Sequence, residues 1–280
     1  MIDRGQGSPI VLIPGIQGRC EWMGPAIDAL AARHRVLSFS LSEGTNFDGW
    51  LQKIDAILDA AGLARATVVG ISFGGVIAAH YAAHRPHRVS ALVVASAPSP
   101  RWRPAPRVAK EIEHPLRTLP LFVARAPIRL GPEVIAAFPT WRARLWFGLG
   151  YGARAAIWRI NPRAMAGWIK AWMATDVADG CSRIVAPTLV IMGEPALDRV
   201  VPVASTLDYL TLIRGARAVT LAGTGHVGYV SKPREFATLV SDFVRGSGLF
   251  STISPPSVPG LGTTPGTEMG ETVENRPDPL

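Results

Sequence analysis

Along the first hundred residues, short apolar runs alternate with stretches whose apolar positions recur every three or four residues. Pro9 to Ile13 is an apolar run closed by Pro14-Gly15 and predicts a strand. A helical pattern from Gly24 to Arg33 leads into a second strand-like run, Arg35 to Phe39. Phe47 to Ala61 places Trp50, Leu51, Ile54, Ile57 and Leu58 on one helical face, and Gly62 supplies a stop. The β-branched run Thr67-Val68-Val69, a helix over Val76 to Ala83 and a strand over Ala91 to Ala95 follow. Much later come the strands Thr188 to Met192 and Ala218 to Leu221, then a helix from Pro233 to Val244. This alternation predicts an α/β fold, with a mostly parallel central sheet covered by helices on both faces. The apolar runs are strand-sized and fall short of the roughly 18 residues that a membrane span needs.

The middle third breaks the rhythm. Between Arg101 and Trp172 lie 13 basic residues against Glu111, Glu113 and Glu133, together with six of the eight tryptophans. No strand pattern appears there, and Pro104, Pro115, Pro120, Pro127, Pro132, Pro139 and Pro162 are expected to break it into short helices. The division that follows is a core over 1–98 and 181–245, a helical lid over 99–180 inserted after the strand near 91–95, and a disordered tail over 246–280, rich in Gly, Pro, Ser and Thr. An insertion at that point sits above the carboxyl ends of the strands, where open α/β sheets bind their ligands.

Composition narrows the class. At 48% apolar, most of the 280 residues belong to a packed structure. The formal net charge of +8 lies mainly in the insertion. No nucleic-acid recognition motif accompanies it, so no nucleic acid is expected as a partner, whereas an Arg- and Trp-rich face suits weak contact with an anionic membrane. Cys20 and Cys181 are too few for a disulfide framework or a cysteine-built zinc site. Met1 to Ser8 carries charge and glycine where a signal peptide would be apolar, so the expected location is cytoplasmic.

The chemistry is concentrated in three short stretches. Gly70-Ile71-Ser72-Phe73-Gly74 fits G-x-S-x-G, in which a serine sits on a tight strand-to-helix turn and its neighbours two positions away must lack side chains. A serine hydroxyl needs a base. His34, His80, His84, His87 and His114 read as solvated surface residues, whereas His226, in Gly223-Thr224-Gly225-His226, follows a strand end. A carboxylate must then orient the imidazole. Asp198 follows the strand Thr188 to Met192, and Glu194 is the alternative nearer the strand end.

With these residues in the order Ser72, Asp198, His226, the chain resembles the lid-bearing α/β-hydrolases over about Ser8 to Arg245. The resemblance implies an oxyanion hole from the backbone N–H of Phe73 and of Ile16, with Gln17 a nearby alternative and substrate contact. It implies cleavage of a carboxylic ester or related acyl bond through an acyl-serine, on a small-molecule acyl ester, with no metal and no organic cofactor. Trp141, Trp146 and Trp168 are expected to line an acyl pocket in the lid, against the plainer reading of helix packing. Pro14-Gly15 stands where the family usually has His-Gly, and the family's leading β-hairpin is expected to be mostly missing. Two other readings remain: a peripheral membrane or anion-binding protein that retains the scaffold, and a peroxidase or lyase using the same triad. The oligomeric state is left open.

Overall fold

The computed structural model describes residues 1–158 and 160–246. In chain order, the core begins with β1 (Ile2–Arg4), β2 (Pro9–Ile13), α1 (Gly24–Ala31), β3 (Arg35–Ser38), α2 (Phe47–Ala60), β4 (Ala66–Ile71), α3 (Phe73–His84) and β5 (Val89–Ala95). The inserted helices are α4 (Pro106–Glu113), α5 (Pro115–Ala124), α6 (Ala126–Ala137), α7 (Trp141–Ile157) and α8 (Pro162–Met173). The core resumes with α9 (Val177–Cys181), β6 (Thr188–Met192), α10 (Val203–Leu212), β7 (Arg217–Thr220), α11 (Gly228–Ser231) and α12 (Pro233–Val244). The described strands form one sheet in the order β1-β3-β2-β4-β5-β6-β7, parallel except for β1.

Period-two alternation divides each inner strand between two cores. Val11 and Ile13 of β2, with Val68 of β4 and Val94 of β5, pack under α2, α3 and α8. Ile10, Leu12, Val69 and Val93 face the other way, against α1, α11 and α12. Both faces of the sheet are buried, as a parallel sheet requires. The helix read from Phe47 ends as expected: Asn46 Oδ1 accepts from Gly49 N–H at 2.9 Å to start it, and Gly62, at φ +68°, follows its last turn. The chain reverses direction across the sheet between β2 and β4, where the register pairs Ile13 with Gly70. The connection after β2 leaves toward β3 and the one after β4 toward β5, which opens a crevice between the two strand ends.

The structure refines several of these expectations. Of the expected missing hairpin, one short strand is found: Ile2–Arg4 pairs antiparallel with β3 and not with β2, and Arg35 clasps Asp3 at 2.8 Å. One apolar residue among charges gave that edge strand no pattern to read. Pro120 and Pro132 do not break helices but lie inside α5 and α6. The carbonyls they leave without donors are four residues earlier, on Leu116 and Ile128, both exposed residues. Pro115, Pro127 and Pro162 occupy first turns, where a missing N–H costs nothing. His34 and His80 are buried rather than solvated. His34 Nε2 and Ser241 Oγ lie 2.9 Å apart, joining the turn after α1 to α12. The expected tail lies, from residue 247 on, outside the described residues.

His80 sits in the buried middle of α3, edge-on to Phe47 at 5.1 Å and 4.2 Å from the His84 ring. Burial, with some help from His84, lowers its pKa to about 4. The folded state therefore holds a neutral imidazole that the unfolded chain protonates below its ordinary value of 6.5. Stability from this group is full above pH 6.5 and drains away as pH falls toward 4, by up to about 3 kcal/mol. Urea unfolding of His80→Gln should show a markedly flatter loss of stability between pH 7 and pH 4 than the parent; identical pH dependence would contradict this account.

Candidate active site

The serine turn is built by what its neighbours lack. Ser72 joins β4 to α3 at φ 52° and ψ −123°, a left-handed conformation that costs energy for a residue with a side chain. A Cβ on Gly70 would lie 2.2 Å from the Gly74 carbonyl oxygen, and one on Gly74 would lie 2.4 Å from the Ile13 carbonyl oxygen. Glycine at both positions is therefore a steric demand of the turn. Ser72 N–H donates to Ala95 O at 2.8 Å, tying the turn to the end of β5.

The loop after β2 closes over the same turn. A Cβ on Gly15 would stand 3.3 Å from Ser72 Cβ and 3.0 Å from Gln17 Oε1. Gly18 N–H donates to Gly15 O at 2.9 Å, so Ile16 and Gln17 sit at the crest of a tight turn beside the serine. Phe73 is the first residue of α3, and its N–H has no acceptor within the helix. Its ring packs against Trp50 at 5.6 Å and Trp172 at 5.9 Å, fixing the start of α3 from both the core and the inserted helices.

Asp198 and His226 come from the loops after β6 and β7. Asp198 Oδ1 accepts from Val200 N–H at 3.0 Å and Val201 N–H at 2.9 Å, and its Oδ2 stands 3.4 Å from His226 Nδ1. The pair is buried, so the contact is shielded from water. The separation is an ion-pair distance with Nδ1 outside hydrogen-bond geometry, a looseness common where catalytic hydrogen bonds tighten only around substrate. Glu194 is engaged elsewhere: its Oε1 accepts from Gly223 N–H at 2.6 Å, and its own N–H donates to Thr224 O at 2.8 Å. Of the two candidate acids, the imidazole meets Asp198 while Glu194 holds the backbone of the histidine loop. That loop is close-packed, since a Cβ on Gly225 would lie 2.5 Å from Leu197 O.

The tryptophans divide. Trp141 and Trp146 are 67% and 71% exposed on α7, so neither walls an enclosed pocket, and Arg142 lies over the Trp141 ring at 5.6 Å. Helix packing of the inserted segment buries its other apolar face and leaves this one outward. Trp168 is buried, donates from Nε1 to Ser42 O at 3.1 Å and lies against Gly18. With Glu43, Asn46, Arg163 and Ala171 it lines a cavity of about 290 Å³, which no member of the serine, aspartate and histidine set lines.

One residue was passed over in the sequence except as a counter-charge. Glu133 of α6 is fully buried, and both of its carboxylate oxygens accept from Val227 N–H, at 3.1 and 3.0 Å; Ser231 Oγ lies 3.3 Å from Oε1. Burial raises its pKa, opposed by the backbone donors of Val227 and Gly225 and by His226. The only sequence signal was its isolation as an acid in a basic, Trp-rich segment. Among the described residues no three His, Cys, Asp or Glu side chains are grouped to hold a metal ion.

Comparison with known proteins bears on the fold and the family. Residues 10–239 match the model of the alpha/beta hydrolase family. The 2-hydroxy-6-oxo-2,4-heptadienoate hydrolase of Pseudomonas putida is 26% identical over 263 residues, covering 86% of this chain and 91% of that protein. The pimeloyl-[acyl-carrier protein] methyl ester esterase of Aromatoleum aromaticum is 28% identical over 198 residues, covering 65% of this chain and 74% of that protein. Among solved structures, an esterase from Exiguobacterium antarcticum superposes with a TM-score of 0.70 at 19% identity, covering 87% of this chain and 94% of that one. A seven-stranded, mostly parallel sheet, a strained serine turn between its fourth strand and the following helix, and a family match spanning most of the sequence together place this chain in the alpha/beta hydrolase family.

Proposed function

We propose that the protein is a serine hydrolase that cleaves a carboxylic ester or related acyl bond through an acyl-Ser72 intermediate. The observation that carries this reading is the left-handed backbone of Ser72, held between β4 and α3 by glycines that tolerate no Cβ. Strain of this kind persists where function requires it. In the proposed reaction His226 takes the hydroxyl proton as Ser72 Oγ attacks the carbonyl, and Asp198 stabilises the imidazolium that results. The oxyanion would be held by the Phe73 and Ile16 N–H groups, each worth about 3 kcal/mol to such a transition state. His226 then returns the proton to the leaving alcohol and activates water to release the acid. The name of the Aromatoleum aromaticum relative, a methyl ester esterase, supports this substrate class over peroxidase or lyase chemistry. Gln17 and Trp168, beside the Ile16 turn, are the proposed contacts to the substrate.

Turnover of short p-nitrophenyl esters tests the assignment. Ser72→Ala should lower kcat at least about a thousandfold with folding intact. Asp198→Asn should cost at least about a hundredfold, and Glu194→Gln less than about threefold, because glutamine still offers an oxygen to Gly223 N–H. Activity surviving Ser72→Ala, or a larger loss from Glu194→Gln than from Asp198→Asn, would overturn it.

A second property is favoured by a separate observation. Twelve of the large hydrophobic side chains that stand exposed lie on α5 to α8, including Phe122, Ile128, Trp141 and Trp146, interleaved with arginines. An amphipathic surface of that composition suits adsorption to an anionic bilayer. The chain should pellet with vesicles containing phosphatidylserine at low salt and less at high salt; equal recovery with neutral and anionic vesicles would remove this property.

A further inference from the structure

α6 reaches the histidine loop by two neighbouring side chains on one helical face. Leu130 packs into the cluster that holds Val227 and Tyr229, and Glu133, three residues on, carries its carboxylate to the Val227 N–H. The Ala136 carbonyl oxygen of the same helix lies 4.0 Å from the Cβ position at Gly223, so α6 runs along the whole loop. Glu133 is fully buried and makes no ion pair with lysine or arginine among the described residues. A carboxylate placed so is expensive unless its oxygens are well supplied with donors. Here the donors come from Val227 and Ser231, on either side of the turn that begins just after His226, so Glu133 ties the inserted helices to the histidine loop across 94 and 98 residues of chain.

We propose that Glu133 is a positioning residue: by accepting the Val227 N–H it sets the backbone that carries His226, which makes seating of the inserted helices a condition for a competent imidazole. This rests on the serine hydrolase reading for its catalytic consequence but not for its structural one. If α6 lifts, Val227 N–H loses its acceptor, the loop is free to drift, and the 3.4 Å approach of His226 to Asp198 is no longer enforced.

The test compares Glu133→Ala, Glu133→Asp and Glu133→Gln in the full chain. It reads amide hydrogen exchange over residues 222–231, kcat and KM for a short p-nitrophenyl ester, and the melting temperature. Glu133→Asp, which withdraws the carboxylate by one methylene, should speed exchange in that segment while leaving β2 to β5 unchanged, and should lower kcat at least about tenfold with KM within about twofold. Glu133→Ala should do the same more strongly. Glu133→Gln, which keeps an acceptor oxygen, should restore exchange protection and most of kcat. Unchanged exchange over 222–231 in Glu133→Asp, a loss confined to KM, or a loss of kcat that merely follows the melting temperature would overturn the proposal. If the parent chain turns over no ester but exchange responds as stated, the substrate reading fails while the link from α6 to the histidine loop stands.

Discussion

Everything at this site depends on the close approach of backbone to backbone at the end of β4. Gly70, Gly74 and the end of β2 meet at distances that exclude even a methyl group, and that contact forces Ser72 into its left-handed turn. The strain is tolerated because the strands around it, β2, β4 and β5, are buried on both faces and resist relaxation. Once the turn is set, the geometry follows. The start of α3 presents the Phe73 N–H, and the β2 loop folds down at the chain-reversal crevice with Ile16 beside the serine. The loops after β6 and β7 then bring Asp198 and His226 together.

Packing around this contact links the core to the inserted helices at three places. Trp172 of α8 leans on Phe73, Trp168 rests on Gly18 of the β2 loop, and Glu133 of α6 holds the backbone next to His226. Elsewhere α7 touches the core through Tyr151, which stands edge-on to Trp22 at 5.0 Å. The outer face of the same segment keeps its aromatic and basic side chains in the open, including Trp141 and Trp146.

The sequence made the sheet legible because buried parallel strands are nearly uniform apolar runs, and the serine turn legible because its glycines are a steric requirement. Helix α12 was readable to the residue, Pro233 to Val244, from its opening proline and apolar spacing. What stayed hidden was whatever depends on three-dimensional neighbours. Ile2–Arg4 forms a strand only because β3 offers an edge, and Pro120 and Pro132 lie within helices whose residues four back, Leu116 and Ile128, are exposed. His80 looks like a polar surface residue until the helices covering α3 are in place. Asp198 and Glu194 could not be separated by spacing, since both follow β6; only the fold shows one meeting the imidazole and the other meeting Gly223 N–H. Glu133 was invisible for the same reason, its partner lying far along the chain.

The most direct test of the central claim, that the strained turn presents an activated serine, is labelling of the native protein with a fluorophosphonate followed by peptide mapping. The account predicts a single adduct on Ser72, abolished by prior heat denaturation. An unlabelled protein, or an adduct on any other residue, would contradict it.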